Sequence, residues 1–142
     1  MESFADFRAR NLAGIVMDEP KYSRPYGNNS YRGYDSNTRP LLFNGEFPPH
    51  GIEPLARAVR VGNRAWPLSR FSGGIRETKE AGVTLTWEGE QASALDQTSI
   101  ATSRKIAAIR TRDNAGNDIA HDVMFAFAFD AFWPDGVWML EN

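Results

Sequence analysis

The sequence predicts a β-dominated α+β domain: a mostly antiparallel sheet or partly open barrel, with two short helical segments and a long tyrosine-rich loop. Three observations carry this. Val83, Leu85 and Trp87 alternate with Thr84 and Thr86, the period-2 pattern of a half-buried strand. Two further runs, around Val59-Arg60-Val61 and Arg64 to Leu68, are joined by Gly62-Asn63, a two-residue hairpin signal. Helical spacing of apolar residues is confined to residues 3–11 and the stretch around Phe129.

Taken in order, residues 3–11 form a short amphipathic helix, with Ser3 as N-cap, Asp6 three positions on, and Phe4 and Phe7 on one face. Gly14 ends that unit and Ile15-Val16-Met17 is strand-like. Residues 18–40 place Tyr22, Tyr26, Tyr31 and Tyr34 among Pro, Gly, Asn and Ser, without a regular period. A structureless stretch of this length is packed or functional in a compact domain. Pro48, Pro49 and Pro54 forbid a helix across residues 48–54. Pro67 places the second hairpin strand at a sheet edge, or ends it.

Glu88-Gly89-Glu90 is expected to turn the chain, with residues 91–95 returning antiparallel, and residues 105–112 form a further strand. Asp113 to Asn117 is a turn. Beyond it, Ile119, His121, Val123, Phe125 and Phe127 fall on one strand face, which puts Phe125 and Phe127 in the core and Asp122 outside. Phe129, Phe132 and Trp133 then suit one face of a helical turn closed by Pro134-Asp135-Gly136, and Val137 to Leu140 is a last strand. One internal echo stands out. Residues 7–17 and 129–139 align without a gap, matching Phe7 with Phe129, Ala9 with Ala131, Gly14 with Gly136, Ile15 with Val137 and Met17 with Met139.

A chain of 142 residues suits one domain that buries enough surface to need no disulfide or metal. It holds no cysteine, which removes thiol nucleophiles, Cys-ligated zinc and iron–sulfur clusters. The net charge of −2 speaks against nucleic acid as a partner. No apolar run reaches the ~18 residues of a membrane span, and the acidic start is not a signal peptide, so the chain as written is expected in the cytoplasm. No cofactor or metal is expected. Nucleophile-elbow, phosphate-loop, zinc-protease and dinucleotide motifs are missing, and the two histidines stand 71 positions apart.

The residues with most chemical promise lie in the loop. Lys21, Arg24, Arg32 and Arg39 against Asp35 give residues 21–40 a charge of +3, leaving −5 for the remainder. Basic groups interleaved with tyrosines can hold an anionic small ligand, and His50 follows nearby. The ligand set that this suggests is Arg24, Tyr26, Tyr34, Arg39 and His50. The plainer reading is a packed loop whose tyrosine rings cover the sheet. His121 is read as a core histidine, since Asp122 points to the opposite strand face.

The order Tyr26 to Tyr34, Arg39-Pro40-Leu41-Leu42-Phe43, Glu46-Phe47-Pro48, Ala65-Trp66-Pro67-Leu68, Ala94-Leu95-Asp96 and Phe129 to Asp135 resembles the C-terminal part of a prokaryotic family, "domain of unknown function 3179". The resemblance implies longer members whose first half carries a Cys-Pro-Leu-Cys stretch, and export for many of them. It implies no established activity. The chain has neither the cysteines nor an export signal, and the echo fits a duplicated family of which residues 1–142 keep mainly the second half. The expected role is a non-catalytic binding or scaffold module. The alternative is an enzyme or anionic small-ligand binder using residues 21–40 and His50. A homodimer, or a partner chain supplying the first half, would cover aromatics near the ends of the sequence.

Overall fold

The computed structural model describes residues 4–18, 21, 28–29, 31–74 and 76–140. Its elements are α1 (Phe4–Arg10), β1 (Arg57–Val61), β2 (Arg64–Pro67), β3 (Glu77–Glu80), β4 (Val83–Ala92), β5 (Lys105–Arg112), β6 (Asp122–Phe125), α2 (Ala126–Phe132) and β7 (Val137–Trp138), with 3₁₀ turns at Tyr34–Ser36, Leu68–Gly74 and Ile100–Thr102. The predicted β-dominated α+β class is correct. The strands form two sheets rather than a barrel: β6-β1-β2-β7 and β3-β4-β5.

The hairpin forms where Gly62-Asn63 places it. Val61 faces Arg64 across the turn, and Gly62 sits at φ 61°, the left-handed value a type II′ turn needs at its first central position. Alternation then builds two cores from one sheet. Val59 and Trp66 are cross-strand partners and turn toward the second sheet, where they meet Phe71, Val83, Leu85, Ala107 and Ile109. Ala58 and Ala65 turn the other way and form a small-residue floor under Phe129 of α2. The molecule is thus layered as α2, first sheet, second sheet. Trp66 links the two sheets by hydrogen bonding as well: its indole N–H donates to Glu80 Oε2 at 3.0 Å, which also takes a bond from Arg70 Nη1 at 2.6 Å.

Several local expectations are corrected. Pro67 ends its strand rather than marking an edge: β2 is interior, and β7 pairs with it only at Arg64 and Ala65. Glu88-Gly89-Glu90 is not a turn. β4 runs through it to Ala92 with a bulge between Trp87 and Gly89, and Gly89 supplies the φ of 129° that the bulge requires. Residues 91 and 92 therefore continue β4 instead of returning.

The alternation at 119–127 is cut short. Only Asp122–Phe125 is strand, because the helix begins at Ala126. Asp122 is exposed as expected, but Phe125 and Phe127 are half-buried, and the residues sealed here are Ala126 and Phe129. Phe132 is largely exposed and meets only the outer side of the layer, edge-on to Trp133 at 6.1 Å. Ile15-Val16-Met17 forms no strand and lies exposed. The proposed cap Ser3 lies outside the described residues.

The described part of the long loop is pinned to the chain ahead of β5. Asn28 bridges Ser99, and the amides of Asn29, Gly33 and Asp35 donate to the carbonyls of Thr98, Asp96 and Leu95 at 2.8, 2.6 and 3.2 Å. A backbone zipper of this kind satisfies polar groups that a loop laid over a sheet would otherwise strand.

Candidate functional site

The zipper delivers Asp35 into the seam between the two sheets. Its side chain is only 3% exposed, beside Arg57 Nη2 at 2.7 Å and Arg104 Nε at 3.6 Å, and it also accepts from the buried Ser93 hydroxyl. A carboxylate sealed this far is tolerable because each neighbour supplies charge or a proton. Arg57 is aimed by stacking on Phe125 at 4.9 Å, and the Phe125 ring in turn packs on Tyr34 at 5.6 Å.

Around this cluster opens a cleft of about 540 Å³. Asp35, Arg57 and Arg104 form one wall, Arg76 with Trp87 and Glu90 the other, over an apolar floor that includes Leu55, Leu68, Phe71 and Ile106. The bulge shapes the second wall. Trp87 pairs with Ile109 and Glu90 with Ala107, and residues 107 and 109 share a face, so the extra residue brings Trp87 and Glu90 to the same side. Arg76 lies over the Trp87 ring, 4.9 Å from its centre. Among the described residues Arg76 makes no ion pair, whereas Arg57 and Arg104 both face Asp35. Three guanidinium groups and two carboxylates line the cleft, and a third carboxylate, Asp96, stands behind Arg104 at 3.8 Å from its Nε.

A second cleft, of about 820 Å³, lies between α1 and the β4–β5 face. Two arginines line it, Arg10 and Arg110, and Arg110 grips Asp118 through Nε and Nη2 at 2.6 and 2.8 Å and reaches Glu88 at 3.2 Å. These bonds raise the Arg110 pKa, and the Arg110 bond holds Asp118 below the usual carboxylate range. His121 stands beside them. The Thr111 hydroxyl donates to the Ile119 carbonyl at 2.8 Å, so the 3.0 Å contact to His121 Nδ1 is a bond from the ring N–H to that hydroxyl.

Burial lowers the His121 pKa from its ordinary 6.5, so the folded ring is neutral at pH 7. Its contribution to stability is complete above 6.5 and is lost as pH falls through the depressed folded value. Urea unfolding between pH 7.5 and 5 should therefore show falling stability, with a shallower fall in His121→Gln. Parallel curves for the two proteins would contradict this assignment. Glu80, Asp113 and Asp118 contribute in a separate window. Their pKa values are lowered from 4.5, 3.8 and 3.8 by the Arg70 side chain, the Asn117 amide and the Arg110 side chain respectively, so their share disappears only at still lower pH.

Three of the five residues of the sequence-derived ligand set, Tyr34, Arg39 and His50, fall within the described residues. Arg24 and Tyr26 lie outside the described residues. Tyr34 is half-buried, and its hydroxyl accepts from the Leu41 amide at 3.3 Å. Arg39 is exposed over the Phe47 ring at 5.1 Å. His50 is exposed at φ 61° in a turn where Ile52 N–H reaches the Pro49 carbonyl at 3.3 Å. Tyr34, Arg39 and His50 line neither cleft.

Among the described residues of the loop it is Asp35 that lines the first cleft, a residue that the sequence marked only as a counter-charge. Arg57, Arg76 and Arg104 carried no local signal, being single arginines at the ends of strands. Among the described residues no group of three or more His, Asp or Glu side chains could hold a metal ion, and no helix is long and apolar enough to cross a membrane.

The fold and its clefts define a β-dominated α+β domain with an arginine-walled cavity at the seam of two sheets. The chain matches the family described as "Protein of unknown function (DUF3179)" over residues 1–136, and it belongs to that family. No similar curated protein and no similar solved structure was found.

Proposed function

We propose that the chain is a non-catalytic binding module whose ligand is a small organic carboxylate held in the cleft between the sheets. The observation that carries this is Arg76: a guanidinium without a carboxylate partner among the described residues, held over the Trp87 ring at 4.9 Å in the lining of an apolar-floored cavity. A flat guanidinium offers a carboxylate two parallel hydrogen bonds, and the floor takes the ligand's hydrocarbon part. Asp35 occupies Arg57, so Arg76 is the group that meets the ligand. The loop 21–40 enters this reading through Asp35, which lines the cleft. In the same reading the domain works beside a second one, in a homodimer or with a partner chain that supplies the first half of a duplicated unit.

The test is a titration of the full chain with benzoate, followed by tryptophan fluorescence, with benzyl alcohol as the uncharged comparison. Benzoate should quench saturably, and its affinity should fall as salt rises. Arg76→Ala should weaken it at least tenfold, and Arg39→Ala should leave it unchanged. Binding that ignores salt and Arg76, or no binding at millimolar benzoate, overturns the reading.

A further inference from the structure

The sequence echo is also a structural one. Shifted by 122 positions, the bounds of α1 (Phe4–Arg10) become those of α2 (Ala126–Phe132). The bonds that close each unit repeat under the same shift. Asn11 N–H donates to the Phe7 carbonyl at 2.9 Å and Gly14 N–H to Asn11 at 2.9 Å; Trp133 donates to Phe129 at 2.8 Å and Gly136 to Trp133 at 2.8 Å. Each glycine faces the same three atoms. A Cβ at Gly14 would lie 2.7 and 2.8 Å from Cζ and Cε1 of Phe7 and 3.0 Å from the Asn11 oxygen. At Gly136 it would lie 2.5 and 2.9 Å from those atoms of Phe129 and 2.8 Å from the Trp133 oxygen. Both glycines are required because an aromatic ring seven residues earlier fills the space of a side chain.

The two units differ in what they cover. In the second, the chain leaves the glycine as β7 and joins β2 in parallel: the N–H groups of Val137 and Met139 donate to Asn63 and Ala65 at 2.8 Å each, and Phe129 sinks onto Ala58 and Ala65 with no exposure. In the first, α1 buries no residue, and Ile15 and Met17, the counterparts of Val137 and Met139, are 95% and 91% exposed.

We infer that residues 4–17 are a second closing unit of the same kind, and that Ile15–Met17 docks in parallel on the free edge of a β-hairpin like Arg57–Pro67, presented by another polypeptide carrying a domain of this fold. The occupant is identified by the chain's own second copy: a strand edge offering two carbonyls, flanked by small side chains that admit the Phe7 ring. The β2 edge of this chain is not that receptor, because β7 is tethered to it and competes at high effective concentration. The inference rests on the partner half of the proposed function and is independent of the carboxylate cleft.

The experiment adds a backbone-cyclised peptide of residues 56–68 to the full chain and follows amide hydrogen exchange. Saturable binding should slow exchange at Ile15 and Met17 and leave Val16 fast, as the register of Val137 and Met139 dictates. Met17→Pro removes one donor at an exposed site, so the variant should keep its Tm and bind the peptide at least tenfold more weakly. Failure of the peptide to bind at millimolar concentration, or binding that protects neither amide, overturns the inference. Dimerisation of the chain alone that Met17→Pro abolishes would assign the strand to a second copy of this chain and overturn it too. The benzoate titration reads a different surface, so either result can fail without the other.

Discussion

Phe129→Ala should lower the free energy of unfolding by about 3–5 kcal/mol, the range for emptying a fully buried aromatic site. The ring has no exposure, stacks on Trp133 at 5.9 Å and meets Trp138 edge-on at 4.8 Å. Below it lie Ala58 and Ala65, which have no spare atoms with which to refill a hole. Beside it Gly136 presents bare backbone. A site walled by alanine, glycine and already stacked indoles collapses poorly, which puts the cost in the upper part of that range. Urea titration measures it. Two comparisons make the result specific: Phe132→Ala, at a ring 73% exposed, should change stability by less than about 0.5 kcal/mol, and Phe125→Ala, at a half-buried ring, should fall between them. A Phe129→Ala loss no larger than that of Phe132→Ala would contradict the layered packing.

Asp35→Ala should cost about 2–3 kcal/mol. Removing one member of a buried ion pair costs about 3–5 kcal/mol when the other is left sealed, but here Arg57 and Arg104 keep 18% and 46% exposure and recover some hydration. The buried Ser93 hydroxyl loses its acceptor as well. The structural consequence is local: residues 33–35 lose the contact that seats them, and their amides should exchange faster than those of β1. Asp35→Asn keeps the shape and one acceptor oxygen and should cost less. Ligand affinity moves the other way, since freeing Arg57 adds an unpaired cation to the cleft, so benzoate should bind Asp35→Ala more tightly than the parent protein. Weaker binding would mean that Asp35 shapes the cavity more than it holds the charge in check.

The parts of the fold that were legible in the sequence are those decided within a few residues. Gly62-Asn63 specifies its turn by backbone conformation, and Val83, Leu85 and Trp87 specify a buried face by alternation. Glu88-Gly89-Glu90 misled because a bulge and a turn ask for the same residue: both need glycine at positive φ, and only the partner strand β5 decides between them. Residues 119–127 misled because apolar side chains on both faces suit a strand and an incoming helix equally, and the position of Ala126 against the alanine floor settles the change. The cleft was legible least of all. Asp35 meets Arg57 across 22 positions and Ser93 across 58, and no local period encodes such meetings. The echo of residues 7–17 was legible because a gap-free match needs no knowledge of what packs on it.

The Arg70 guanidinium, already spent on Glu80, also donates to the Met139 carbonyl at 2.9 Å. One side chain therefore rivets the last strand to the network that joins the two sheets. Seen mechanically, tension applied at the C-terminal end enters the molecule through β7. It is resisted there by the backbone hydrogen bonds of the β2–β7 pairing, by this rivet and by the packing of Met139 against the core between the sheets. Release of β7 consequently uncovers the Phe129 layer, because Trp138 is part of its lid, and at the same time lifts Met139 off the margin of the sheet-to-sheet core.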